Sequence, residues 1–174
     1  DAKPADVAQL SQLASSIAFL SQGMPFMQAG QEFLRSKGGD PNSYKSSDLV
    51  NSLKWSTQSA NASTVKYFKG LISLRKAHPA FRMETTDQVR KNLKFLTSPE
   101  GTIAYSINGS AVKDSAATLV VVHNANTTPQ TITLSKSGNW SVLVESGIAG
   151  TSVIRKLTGS SVVVEARSTL VITQ

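Results

Sequence analysis

Two carboxylates, Glu32 and Asp40, stand eight residues apart in the stretch Gly23 to Tyr44, GMPFMQAGQEFLRSKGGDPNSY. Glycoside hydrolysis needs two carboxyl groups at fixed separation, about 5 Å for retention and wider for inversion. Across a loop holding Gly38, Gly39 and Pro41, sequence spacing fixes no such distance. Glu32 reads instead as a hydrogen-bonded carboxylate that fixes the corner between a strand and its loop. Asp40, Asn42 and Tyr44 form the candidate binding set. An acid and an amide bond hydroxyls, and a phenol ring stacks on the apolar face of a sugar. The same Asp and Asn also suit bonding to the backbone of their own turn. Trp55 is expected to anchor this loop and Trp140 to fill a β core. His78 and His123 lie far apart with no carboxylate beside them in the sequence. No metal-ligand spacing and no Ser-His-Asp arrangement appears, so neither a metal nor a cofactor is expected.

The elements that must position these residues follow from periodicity. Val7, Leu10, Leu13, Ala14, Ile17 and Leu20 recur at three- and four-residue intervals, which predicts an amphipathic helix. Pro4 suits its first turn, Asp6 complements its dipole, and Gly23 ends it. Met24 to Gln28 is a short apolar run without helical period and reads as a strand buried on both faces. Ala29 to about Ala60 is aperiodic, a length of loop that is usually functional or disordered. Leu49, Val50, Leu53 and Trp55 predict a short helical turn that pins it. Asn61 or Ser63 can cap a second helix carrying Val65, Phe68, Leu71, Ile72 and Arg75, which His78-Pro79 stops. Helix, short buried strand, long loop, helix is the pattern of one unit of a parallel α/β barrel, where function sits on the loop after the strand.

Beyond a boundary between Phe81 and Val89 the pattern turns to short alternating runs. Strands are expected at Leu93–Thr97, Thr102–Ile107, Ala117–His123, Gln130–Leu134, Asn139–Val144, Ser152–Leu157, Val162–Ala166 and Thr169–Thr173, with Asn108-Gly109, Ser137-Gly138 and Thr158-Gly159 among the turns. Such spacing predicts an antiparallel sandwich. The fold class is therefore α+β, with a barrel end over residues 1–84 and a β-sandwich over 85–174.

Composition narrows the function classes. The chain has 174 residues, a net charge of +7, 40% apolar residues and no cysteine. The basic residues are spread at helical or alternating spacing rather than clustered, which argues against a nucleic-acid surface. Without cysteine there is no disulfide or thiolate chemistry. No run approaches the ~20 apolar residues of a membrane span. Asp1, Asp6, Gln12 and Ser15 do not fit a signal peptide.

Several segments together carry a family resemblance: Ser21-Gln22-Gly23-Met24-Pro25-Phe26, Ala29-Gly30-Gln31-Glu32-Phe33-Leu34-Arg35, Lys37-Gly38-Gly39-Asp40, Asn42-Ser43-Tyr44-Lys45-Ser46, and Leu74-Arg75-Lys76 with His78-Pro79. This order resembles the C-terminal part of bacterial type I pullulanases, the α-1,6-glucan debranching branch of the α-amylase superfamily. It is dense over residues 5–82 and one of architecture beyond. Pro41 and Lys54 depart from the family pattern. The resemblance implies the eighth and last strand–helix unit of a (β/α)8 barrel plus the sandwich behind it. It implies a parent enzyme that cleaves α-1,6 links in pullulan, amylopectin or glycogen with retention. The nucleophile and acid/base of that family lie on earlier strands, so no catalytic residue is assigned here and the chain alone is expected to be inactive. The expected partners are the α-glucan and the rest of the barrel, and the expected place is extracellular or at the cell surface of a bacterium, with the cytoplasm as the alternative. The competing reading is a stand-alone carbohydrate-binding or structural β-sandwich module. That reading needs exposed aromatics, for which the second half offers Tyr105 and Trp140 as candidates.

Overall fold

The computed structural model describes residues 6–174. Pro4, expected in the first helical turn, lies outside the described residues. Helix α1 spans Val7–Leu20 and α4 spans Ala62–Ala77. A 14-residue helix is marginal alone in water, so its stability must come from packing. The buried residues of α1 are Leu13, Ser15, Ser16, Phe19 and Leu20, while Val7, Ala14 and Ile17 of the predicted stripe face outward. The reason is a second attraction: Ser16 Oγ lies 2.7 Å from the Tyr67 hydroxyl of α4, which turns that side of α1 inward. Burial pushes the Tyr67 phenol up to about 12.

The C-terminal end of α1 is held by side chains from elsewhere. Arg75 of α4 is buried and donates to the carbonyls of Phe19 at 2.7 Å, Ser21 at 2.8 Å and Gly23. The Tyr105 hydroxyl donates to the Leu20 carbonyl at 3.0 Å. These bonds satisfy the carbonyls that a helix end leaves free. Arg75 and Arg82 bring two positive charges together at the end of α4, and burial with this repulsion lowers the Arg75 pKa.

Strand β1 is Leu93–Phe95, β2 Thr102–Asn108, β3 Thr118–Asn124, β4 Gln130–Glu145, β5 Ile148–Ala149, β6 Arg155–Val164 and β7 Ser168–Thr173. All pair antiparallel in the order β1-β2-β3-β7-β4-β5, with β6 on β4. Two pairs of expected strands are each one long strand. Ser137-Gly138 and Thr158-Gly159, expected as turns, lie across from each other: Gly138 pairs with Gly159 where the β4 register shifts. Paired glycines let the ribbon bend without breaking it.

That bend creates two cores. Tyr105, Ile107, Leu119, Val121, Leu143, Val144 and Val171 face the helices and pack with Phe19, Leu20, Phe68, Leu71, Leu74 and Phe81. Their alternates Ala104, Val120, Val122, Leu170 and Ile172 face Ile132, Leu134, Trp140, Val162 and Val164. The central strands are thus buried on both faces, and each apolar side chain buried is worth roughly 1.5–3 kcal/mol. Gly70 of α4 lets the helix meet β5, because a Cβ there would stand 2.0 Å from the Ala149 carbonyl oxygen.

Two expectations fail near the junctions. Residues just before β1 form helix α5, Thr86–Asn92, where the short alternating runs of the second half were expected to begin. A capping box selects it: Gln88 N–H donates to Thr85 Oγ1, and Gln88 Oε1 accepts from Thr85 N–H. Met24 to Gln28 is not a strand here, since it pairs with no other segment among the described residues. A strand exists through its neighbours, and a lone segment of this kind has none.

Candidate functional site

The loop between α1 and α4 is ordered by its own polar contacts. It contains the short helices α2, Asp48–Asn51, and α3, Thr57–Ala60. Its corner is Gly30, whose φ of +91° suits glycine, and a Cβ there would come within 2.9 Å of the Arg35 and Leu53 side chains. The Gly30 carbonyl accepts from Phe33 and Arg35 N–H at 3.1 and 2.9 Å. Glu32 Oε2 accepts from the Gly30 N–H at 3.0 Å, which places this carboxylate on the corner. Phe33 is buried beneath Trp55, their centroids 5.5 Å apart, and the other side of Trp55 leaves it 61% exposed.

Asn51 is the hub of the outer loop. Its amide donates to the carbonyls of Ser43 at 2.7 Å and Ser46 at 2.8 Å. Its amide oxygen accepts from Lys37 Nζ at 3.1 Å, and its carbonyl accepts from Arg35. Nothing in the sequence singled out Asn51, because its partners come from four separate points of an aperiodic stretch. Asn61, expected to cap α4, instead turns its amide back to the carbonyls of Phe33 at 3.2 Å and Thr57 at 2.9 Å. It occupies the N-cap position of α4 without a capping side-chain bond.

Asp40, Asn42 and Tyr44 stand together on the outer turn. Both Asp40 oxygens are engaged within it, Oδ1 by the Asn42 N–H at 2.9 Å and Oδ2 by the Ser46 hydroxyl. Those bonds, the Ser46 one first, and the Lys37 charge hold the Asp40 carboxyl below its ordinary range. A general acid needs the opposite shift, so this carboxylate is suited to accepting hydrogen bonds and not to giving a proton. The Asn42 side chain is exposed and makes no hydrogen bond among the described residues, and Tyr44 is 74% exposed with Lys45 Nζ 5.4 Å from its ring centroid. Glu32 and Asp40 are each held in a separate turn rather than facing each other as a pair. The loop therefore offers an exposed amide and exposed rings to solvent. Among the described residues, no group of three or more His, Asp or Glu is arranged to hold a metal ion.

Trp140 lies far from this loop, buried between the sheet layers, with Lys136 Nζ 6.0 Å from its ring. Tyr105 is also buried, and the large exposed ring of the second half is Phe95. His123 is buried, with Nδ1 2.9 Å from Thr169 Oγ1, and burial pulls its pKa down to about 4. His78 has a carboxylate partner after all, Asp114, which is 36 residues away in sequence. The pair joins the end of α4 to the loop after β2.

The comparisons with known proteins point one way. Residues 89–147 match the family described as "Pullulanase, all-beta domain". The pullulanase of Bacillus subtilis (strain 168) is 43% identical over 114 residues, which cover 66% of this chain and 16% of that protein. The pullulanase structure from Bacillus acidopullulyticus superposes on 100% of this chain and 21% of its own, at 40% identity and a TM-score of 0.94. A pullulanase from Anoxybacillus sp. LM18-11, complexed with maltotriose, matches 99% of this chain and 24% of its own at 32% identity and a TM-score of 0.89. The chain thus spans about a fifth of the length of the proteins it matches.

Proposed function

We propose, from the premise that this chain belongs to the pullulanase family as a C-terminal portion of it, that it closes the catalytic barrel of a debranching glycoside hydrolase. On this reading residues 1–84 are the last strand–helix unit of a (β/α)8 barrel, and residues 85–174 are the sandwich that backs it. One observation carries the reading. Met24 and Phe26 are 95% and 93% exposed, while Met27 packs against the core shared by α1, α4 and the sheet. An extended segment with helices behind it and bare apolar side chains in front is what a barrel strand looks like without its sister strands.

The loop after that strand then sits at the mouth of the barrel, where substrate binds. Asn42, Tyr44 and Asp40 contribute hydrogen bonds and a stacking ring to an α-glucan such as pullulan, amylopectin or glycogen. Support comes from the exposure of Asn42 and Tyr44 and from the maltotriose complex of the Anoxybacillus relative. The chemistry is retaining cleavage of an α-1,6 link by two carboxyl groups about 5 Å apart, carried by segments outside this chain. The chain's own part is to wall the site and to hold the last unit in place.

The test is a pair of assays on pullulan. The 174-residue chain alone should release no reducing ends. In the longer enzyme, Tyr44→Ala should raise KM more than it lowers kcat. Turnover by the isolated chain would overturn the proposal.

A further inference from the structure

The helical half is fused to the sheet. One core takes in Phe19 and Leu20 of α1, Phe68, Leu71 and Leu74 of α4, and Tyr105, Val121 and Val171 of the sheet. Four polar ties cross the same seam. Tyr105 donates to Leu20, Gln9 Nε2 donates to the Ala166 carbonyl at 3.1 Å, Asp6 pairs with Arg167, and Asp114 takes the Ala80 N–H at 3.0 Å. Gly70 against Ala149 brings backbone onto backbone. Helices committed this fully to the sheet do not need a barrel in order to fold.

Away from that seam, apolar side chains are left bare. Val7 and Ile17 of α1, Met24 and Phe26, and Ile72 of α4 are exposed. Met24, Pro25, Phe26 and Met27 make no backbone hydrogen bond among the described residues. Unpaired strand edges beside apolar surface template pairing with another chain. The Bacillus acidopullulyticus relative holds this whole chain at a TM-score of 0.94 within a polypeptide of which it is 21%. That relative therefore carries several times this chain's length outside the matched part.

We infer that this chain is a separable folding unit, preformed by its sheet, and that it docks non-covalently through this bare face onto the remainder of the barrel. The inference rests on the barrel reading above and adds the order of assembly: the sheet shapes the last unit first, and the barrel closes on it afterwards. The peptide link ahead of Asp1 is then not what holds the two parts together.

The experiment places a protease site ahead of Asp1 in the longer protein and cuts it under native conditions. The cut pieces should elute together in size-exclusion chromatography with light scattering and keep their pullulan turnover. Met24→Asp with Phe26→Asp removes two apolar contacts and buries charge, so association of the cut pieces should weaken by more than ~100-fold. Near-UV circular dichroism of the isolated variant chain should still report a cooperative melt, because neither side chain is in its core. Three outcomes count against the proposal. If the cut wild-type pieces part and turnover is lost, the unit is not separable. If the isolated chain forms a dimer that the same substitutions break, the occupant is a second copy. If the uncut protein tolerates both substitutions with unchanged melting and turnover, the barrel reading itself fails.

Discussion

His78 Nδ1 lies 2.7 Å from Asp114 Oδ1, joining the end of α4 to the loop after β2 with a side chain that solvent does not reach on the Asp side. Asp114 also accepts from the N–H groups of Ala116 at 2.9 Å and Ala80 at 3.0 Å. Burial opposes its ionisation, but the three donors together outweigh burial and hold its carboxyl below the ordinary range. The stability it adds is fully present above the unfolded carboxylate value near pH 4, and is lost as pH falls through the folded value. Asp114→Ala strands two N–H groups and the imidazole, and should cost ~2–4 kcal/mol at pH 7 in urea unfolding. Equal urea midpoints for the variant and the wild type would remove this latch from the account.

The second titration runs through His123. Its folded pKa of about 4 lies below the ordinary 6.5 because the ring is buried. The unfolded chain therefore binds the extra proton between those values. The penalty is absent above pH 6.5 and grows as pH falls toward 4, reaching ~3 kcal/mol. The melting temperature should drop across that window. His123→Leu should flatten the slope there while leaving the later loss through Asp114 intact. An NMR titration placing His123 near 6.5 would contradict the burial argument.

Gly70→Ala sets two effects against each other. Alanine gains ~1 kcal/mol of helix propensity. Its Cβ would stand 2.0 Å from the Ala149 oxygen and 2.5 Å from the carbonyl carbon, and backbone cannot swing aside as a side chain can. Overpacking of this kind costs ~1–3 kcal/mol, so the clash wins and the helix–sheet seam loosens. Lys69→Ala, at the exposed neighbouring position, supplies the control and should be near neutral. A rise in melting temperature for Gly70→Ala would show that α4 can shift off β5.

What the sequence could show was set by range. Helices α1 and α4 and strands β2, β3 and β7 were legible within about two residues, because each carries its own period. The long ribbon of β4 and β6 was not, since Gly138 and Gly159 carry the same turn signal whether the chain reverses or merely bends. The outward turn of Val7 and Ile17 was also hidden, because an apolar stripe does not say which part finds a partner. Met24 to Gln28 kept its apolar pattern but not its pairing, which needs strands from elsewhere. The His78–Asp114 pair and the Asn51 hub join residues with no fixed spacing, so no motif could announce them. Asp40, Asn42 and Tyr44 stood out by type, and the structure adds that the Asp40 oxygens are already committed within the turn while Asn42 and Tyr44 are exposed.

Asn51 separates positioning from contact in the proposed glucan site. It touches no candidate sugar residue directly. It fixes the carbonyls of Ser43 and Ser46, and Ser46 in turn holds Asp40 while Ser43 precedes Tyr44. Asn51→Ala removes two short hydrogen bonds and the Lys37 partner, a local loss of ~1–3 kcal/mol. The loop meets the helices through the buried Phe33, the Asn61 amide on the Phe33 carbonyl and Gln31 Nε2 on Ser15 Oγ, bonds that do not involve Asn51, so global unfolding should shift little. In the longer enzyme the loosened turn should raise KM for pullulan several-fold while kcat changes less. Asn51→Asp keeps the acceptor for Lys37 but loses both amide donors, so it should resemble the alanine variant. Had the Lys37 contact alone mattered, the aspartate variant would behave as wild type, and the two KM values decide between the carbonyl clamp and the cation as what shapes the turn.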